Sequence, residues 1–288
     1  MLAVTSDLDP ERRQDLLDRI ERYYDAVPRS SARAEDFGPL TLFVQEGAGW
    51  PYYGRPALGS ASVATAADVE RVRTRQRELG VPEAFEWVDE TTPGLRAAVE
   101  ASGLVAHAHP LMALDLDAAA GPVDAPGSDG AVVRLLAADD PALLGAVTVP
   151  HLAFADPGTG VGEAGLPELA ELMREHADGG AAERVAARIE AGLTCVAAAV
   201  EKDAVLCAGQ HQPVGPVSEI VGVGTLPAAR RRGLGLAVTA ALVADARERG
   251  VRTVFLSAGD EDVARIYGRL GFRRVGTALI AEADADTK

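Results

Sequence analysis

The run Val221-Gly222-Val223-Gly224-Thr225-Leu226-Pro227-Ala228-Ala229-Arg230-Arg231-Arg232-Gly233-Leu234-Gly235 constrains this chain more than any other stretch. A β-type, glycine-punctuated segment passes through a proline turn into three arginines. A Gly-x-Gly then opens an apolar, alanine-rich helix. The physical content of that order is an anion site. The first N–H groups of a helix lack intrahelical acceptors, and the helix dipole favours negative charge beside them. Glycines there carry no Cβ to hold an anion away from the backbone. The clustered arginines stand out in a chain whose formal net charge is −15.

Elimination narrows the anion. A dinucleotide fingerprint needs a third glycine where Pro227 stands, and the Gly-Lys-Ser/Thr of a Walker A loop does not occur. What remains is Arg-x-x-Gly-x-Gly, formed by Arg230, Gly233 and Gly235. This resembles the pyrophosphate loop of the GNAT superfamily of acetyl-CoA-dependent N-acetyltransferases. The order downstream is similar too: a strand Val251–Ser257, a helix Asp260 to Leu270, and the signature Ile266-Tyr267-Gly268-Arg269-Leu270-Gly271-Phe272. The match covers residues 131–288 and is best over 217–275, with Asp260 where many relatives carry asparagine.

The resemblance implies an α/β fold with a mixed sheet, acetyl-CoA as cosubstrate and no metal. The strand Glu219–Thr225 would pair with the thioester arm through the backbone of Val223, Gly224 and Thr225. Gly222 and Gly224 would permit a bulge and close approach. The pyrophosphate would sit on Arg230, Arg231, Arg232, Gly233, Leu234 and Gly235, one or two of the arginines facing it and the others solvated or paired with local carboxylates. Tyr267 matches the family's general acid for the departing thiolate, and Glu219 is the candidate base for the amine. Each has a plainer alternative: Tyr267 as a ring packed on the core, Glu219 as a strand-end carboxylate.

The chain also repeats itself. Glu78-Leu79-Gly80-Val81 and Glu248-Arg249-Gly250-Val251 each close a helix and open a strand. Each strand leads to a short helix ending at a glycine, Gly103 or Gly271, and then to a terminal strand. The expected organisation is two GNAT-like lobes in tandem, 1–117 and 131–288, joined by a Gly/Pro/Ala/Asp-rich linker at 118–130. The copies differ chemically. Ser60-Ala61-Ser62-Val63-Ala64-Thr65 replaces the phosphate loop and Val99 the tyrosine, so the first lobe is expected to bind no coenzyme A.

At 288 residues the length allows one large or two medium domains, each able to bury its own core. Its start has neither the basic region nor the apolar run of a signal peptide, and no run reaches the ~18 apolar residues of a membrane span. The acidic excess extends over both halves, which argues against a nucleic-acid face; it mildly favours an amine partner, or serves only to maintain solubility. Cys195 and Cys207 lack paired spacing and read as buried free thiols of a cytoplasmic protein. Asp9 and Pro10 begin a helix with the apolar stripe Leu16, Leu17, Ile20, Tyr23 and Tyr24. His107 and His109 share a strand face and read as structural; His151, His176 and His211 are isolated and receive no role. Trp50, Tyr52 and Tyr53 form an aromatic loop, read as packing with an acceptor cover as the alternative.

The function expected is acetyl transfer to a primary amine of a small-molecule or peptide acceptor. A non-catalytic acyl-CoA sensor or partner-binding protein is the rival reading. Transfer to a hydroxyl, or of a longer acyl chain, also fits the sequence.

Overall fold

The structure, a computed structural model, describes residues 8–47, 52–118 and 130–283. Two compact units divide the chain, one of Met1–Leu111 with Arg274–Lys288 and one of Met112–Arg273. The linker expected at 118–130 lies outside the described residues except at its two ends, and so does Trp50.

The first half of the chain forms α1 (Pro10–Ala26), β1 (Ala32–Asp36), β2 (Leu40–Gln45), β3 (Gly54–Pro56), α2 (Ala66–Leu79), β4 (Ala84–Val88), α3 (Leu95–Ala101) and β5 (Val105–Asp115). The second half begins with β6 (Val132–Leu136), α4 (Leu143–Ala155), α5 (Leu166–His176) and α6 (Ala181–Glu190). It continues with β7 (Cys195–Glu201), β8 (Ala204–Val214), β9 (Val217–Thr225) and α7 (Leu234–Glu248). It ends with β10 (Thr253–Ser257), α8 (Glu261–Gly268) and β11 (Arg273–Glu282).

In the first unit the strand order is β1-β2-β3-β4-β11, and α1 buries the five-residue stripe expected of it. Pro10 starts that helix, but Asp9 makes no side-chain cap; its carbonyl accepts the Arg13 N–H instead. α2 is closed at its start by a reciprocal pair, with Thr65 Oγ1 accepting the Asp68 N–H and Asp68 accepting the Thr65 N–H. The core of this unit joins Leu40, Leu42, Val69, Val72, Phe85, Trp87, Leu95, Val99 and Leu279.

In the second unit the order is β5-β10-β9-β8-β7-β6. Its core gathers Val149, Ala197, Ala199, Cys207, Ala208, Val238, Leu242 and Val254 among others. The small residues of β7 and β8 let helices pack closely on the sheet. α4 lies so close to β8 at Gly145 that a Cβ there would stand 3.0 Å from the Val205 side chain.

The repeat read from sequence is present in the backbone. Gly80 and Gly250 both end helices in the left-handed region, at φ 66° and 78°, and Gly103 and Gly271 both stand at φ 90°. One feature departs from two self-contained halves. The strand beside β10 is β5, from the first half of the chain, and the strand beside β4 is β11, from the second. The terminal strands are exchanged, so each unit is closed by a strand from the other half. Sequence periodicity cannot carry this information, because either terminal strand presents the same alternation to either neighbour.

Removal of Arg274–Lys288 is therefore expected to unravel the first unit rather than the second. Leu279 pairs with Trp87 across β11 and β4, and both are fully enclosed. The truncated chain should show red-shifted tryptophan emission; an unshifted spectrum would contradict the strand exchange.

Candidate functional site

Two parallel strands part company in the second unit. β10 pairs with β9 through Thr253↔Val217, Val254↔Ser218 and Phe255↔Glu219, and there the pairing stops. β9 continues to Thr225 with no β10 partner among the described residues, so its backbone groups on that side are not matched by β10. Glu219 stands at the parting point. A bulge falls just beyond it: on β8 the register passes from Ala208↔Gly224 to Gln210↔Val221, setting Gly222 and Val223 against Gly209. Gly222 has φ 65°, which glycine adopts without steric cost. Gly209 must lack a side chain because its Cβ would meet the Val223 side chain at 2.8 Å. Gly224 has a different reason: a Cβ there would stand 2.8 Å from the Pro150 Cα of α4. Helix α4 thus presses on β9 where the strand has left β10.

The loop from Leu226 to Gly233 leads into α7. It contains two left-handed residues, Arg231 at φ 66° and Gly233 at φ 77°. Such residues turn backbone N–H groups into a shared concavity suited to an anion. α7 has no side-chain cap and no acidic residue in its first turn, so nothing in the helix itself neutralises the positive end of its dipole. The counterpart α2 is the opposite case. Its own Asp68 occupies the helix start, and the Thr65 hydrogen bonds hold that carboxyl below its usual range.

The three arginines are differently employed. Arg230 donates to the carbonyls of Gly160 (3.1 Å), Ala153 (3.0 Å) and Asp156, fastening the loop to the end of α4. Backbone bonds add to this seam, Gly162 N–H to Pro227 and Ala228 N–H to Ala164. Arg232 pairs with Glu201 at 2.6 Å. Arg231 is exposed and makes no ion pair among the described residues. Leu234 is buried at the helix start, and Gly235 lies beside the Thr225 hydroxyl.

Tyr267 sits near the end of α8, 9% exposed, its ring 6.0 Å from that of Phe272. Burial, with a smaller contribution from Cys207, pushes its hydroxyl well above the ordinary tyrosine range, so it holds its proton at neutral pH. Cys207 receives the Thr225 hydroxyl at 3.2 Å, and burial pushes its thiol up to about 12. Tyr267 is thus packed on the core, within electrostatic reach of the Cys207 thiol that bonds Thr225. Cys195 and Cys207 are both buried free thiols.

A family model described as FR47-like protein matches residues 199–280, which run from β7 into β11. Among solved structures, a GCN5-related N-acetyltransferase from Kribbella flavida is 20% identical with TM-score 0.67, covering 94% of this chain and 96% of that one. The chain has the GNAT fold. A tandem GNAT protein of the clavulanic acid biosynthesis pathway is 18% identical with TM-score 0.55, covering 86% of this chain and 79% of that one. A functionally unknown conserved protein from Staphylococcus epidermidis is 14% identical with TM-score 0.56, covering 91% and 97% respectively. No curated protein matches the chain.

Within this GNAT fold the structure joins polar residues that are scattered in sequence. His211 on β8 is fully buried, its Nε2 2.7 Å from Asp245 Oδ2 on α7 and its Nδ1 2.8 Å from the Ser218 hydroxyl on β9. A carboxylate only accepts, so Nε2 carries the proton and Ser218 donates to Nδ1. Arg249 donates to the same carboxylate. The donor atoms of Cys195, His211 and Asp245 lie within 4.8 Å of one another, a set that could in principle hold a metal ion. Arg249 already supplies positive charge there. A second pair, His151 on α4 and His176 on α5, meets edge to face at 4.8 Å. His151 follows Pro150, the residue packed on Gly224, and burial with help from His176 lowers its pKa, keeping the ring neutral. Linear spacing gave no sign of either arrangement except the Asp245/Arg249 helical interval. His107 is exposed on β5, and Tyr52 bonds Ser31 at 3.0 Å, which makes that aromatic pair part of the first unit's packing.

The His211 network predicts acid lability. Burial lowers the His211 pKa against the opposing pull of Asp245, so the unfolded chain binds a proton near the ordinary value of 6.5 that the folded chain refuses. Burial raises the Asp245 carboxyl, but Arg249 and His211 outweigh it and leave it low, so its contribution is also lost on acidification. The unfolding midpoint should fall as pH drops below about 6.5. His211→Gln should cost about 1–3 kcal/mol at neutral pH and flatten that dependence. An unchanged slope in the variant would place the lability elsewhere.

Proposed function

We propose that the second unit is an acetyl-CoA-dependent N-acetyltransferase acting on a primary amine. The observation that carries this reading is the uncapped start of α7, lying in sequence directly after a strand that has parted from its parallel neighbour. The α7 N–H groups at Gly233, Leu234 and Gly235 would take the pyrophosphate, with Arg231 as its side-chain partner. Arg230 and Arg232 would act by holding the loop, since their guanidiniums are engaged with Gly160, Ala153, Asp156 and Glu201. The unpaired backbone edge at Val223, Gly224 and Thr225 would accept the amides of the thioester arm as an added strand.

In the transfer, the amine nitrogen attacks the thioester carbonyl carbon, the N–C bond forms and the C–S bond breaks. Glu219, at the parting point, would take the proton that the amine must lose. Tyr267, whose hydroxyl holds its proton at neutral pH, would return one to the departing thiolate. Among the described residues no helix is long and apolar enough to cross a membrane. The two free buried thiols suit a reducing compartment, and we assign the protein to the cytoplasm.

A linked set of variants tests this reading against a sensor that binds acyl-CoA without transfer. Gly233→Asp should abolish acetyl-CoA binding by putting a carboxylate where the pyrophosphate sits. Arg231→Ala should weaken binding about tenfold, the worth of one charge-assisted hydrogen bond. Glu219→Gln and Tyr267→Phe should leave affinity intact and lower turnover on an amine panel by ~10²-fold or more. Tight acetyl-CoA binding with no thiol released for any amine would favour the sensor.

A further inference from the structure

The first unit repeats the parting of two parallel strands without the phosphate loop. β3 and β4 pair in parallel at a single position, Gly54↔Phe85, and the pairing goes no further. The next residues on each strand are Arg55 and Glu86. Gly54 is turned toward Phe85 and Val72 of the apolar core, so the alternation of the strands sets Arg55 on the other face, where α1 lies. Glu86 alternates in the same way with Phe85 and Trp87, both core residues.

The chemistry at this place is unfinished. Arg55 is only 1% exposed, and one of its amino groups pairs with Glu21 of α1 while its guanidinium stacks over the Tyr24 ring at 5.2 Å. Its Nε–H, buried, has no acceptor. An unmatched buried donor costs about 1–3 kcal/mol. Glu86, on the neighbouring strand, is half-buried and makes no hydrogen bond or ion pair among the described residues. Glu21 is already engaged, accepting from Thr91 at 2.6 Å as well as from Arg55. A buried Nε–H lacking an acceptor and a carboxyl lacking a donor thus stand on adjacent strands without joining each other.

We propose that the parted strands of the first unit hold a second small-molecule site, which takes a compact zwitterion of the α-amino-acid class. The carboxylate of the ligand is received by Arg55 Nε–H and its ammonium by Glu86. The two ends of such a molecule satisfy the two unmatched groups at once, and neither a simple acid nor a simple amine does. The site is independent of acetyl transfer in the second unit, where acetyl-CoA would bind whether or not this site is filled.

Binding should be linked to pH. The groups acting on Glu86 are Arg55 on β3, which favours its charged form, and Glu282 on β11, which opposes it; Glu21 and Tyr24 approach Arg55 from α1. Burial dominates and pushes the Glu86 carboxyl up to about 7. A ligand ammonium requires the ionised carboxylate, so affinity should rise about tenfold from pH 6 to pH 8.

The test is calorimetry and thermal unfolding of the full chain with the common L-amino acids at millimolar concentration, alongside acetate and ethylamine. At least one amino acid should bind, with acetate and ethylamine weaker by about tenfold or more. Glu86→Gln removes no existing hydrogen bond, so it should fold with an unchanged or higher midpoint, still bind acetyl-CoA, and lose amino-acid binding. Failure of every amino acid to bind the wild-type chain would overturn the proposal. Equal binding by Glu86→Gln, or by acetate or ethylamine alone, would do the same. Loss of acetyl-CoA binding would bear only on the second unit.

Discussion

A parallel pair of strands that stops pairing partway along is the constraint on which the rest of the second unit depends. Backbone N–H and C=O groups must be matched, so a strand can leave its neighbour only if something compensates. Here β9 keeps its ladder to β8, absorbs the change of direction at the Gly222 bulge, and is buttressed by α4 through Pro150 on Gly224. The free edge and the start of α7 then follow within a few residues of chain. Arg230 ties the intervening loop to the end of α4, so the loop is held by the same helix that presses on the strand. A side chain at Gly224 would push α4 away and loosen both.

The two units show how little has to change to alter what a cleft can hold. Each has a parallel pair that parts after a phenylalanine, Phe85 or Phe255. At the helix that follows, one sequence leaves the dipole open with Gly233, Leu234 and Gly235. The other closes it with Thr65 and Asp68. An acid in the first turn is favourable to the helix and unfavourable to any external anion. In the first unit the parallel pair is instead followed by Arg55 and Glu86, groups of opposite charge in place of a backbone cradle.

Much of this was legible in the sequence because it is local. The five-residue stripe of α1, the glycines that end helices at Gly80, Gly103, Gly250 and Gly271, and the Arg-x-x-Gly-x-Gly loop are set by nearest neighbours along the chain. β3 was not legible: three residues are too few to show alternation. The exchange of β5 and β11 was hidden because strand partners are chosen by tertiary packing. The His211–Asp245–Ser218 chain unites three elements and has no spacing to read, and the His151–His176 pair depends on how α4 meets α5. For the arginine cluster, sequence gave the composition of the loop but not the division of labour. Only the structure commits Arg230 and Arg232 to protein partners and leaves Arg231 exposed.

In the proposed function one uncapped helix, α7, makes the second unit alone competent for acetyl-CoA. Isothermal titration of the intact chain with acetyl-CoA measures this directly. A single site per chain is expected, weakened by rising salt because charge attraction contributes to it. Two sites per chain, or one that survives Gly233→Asp, would contradict it.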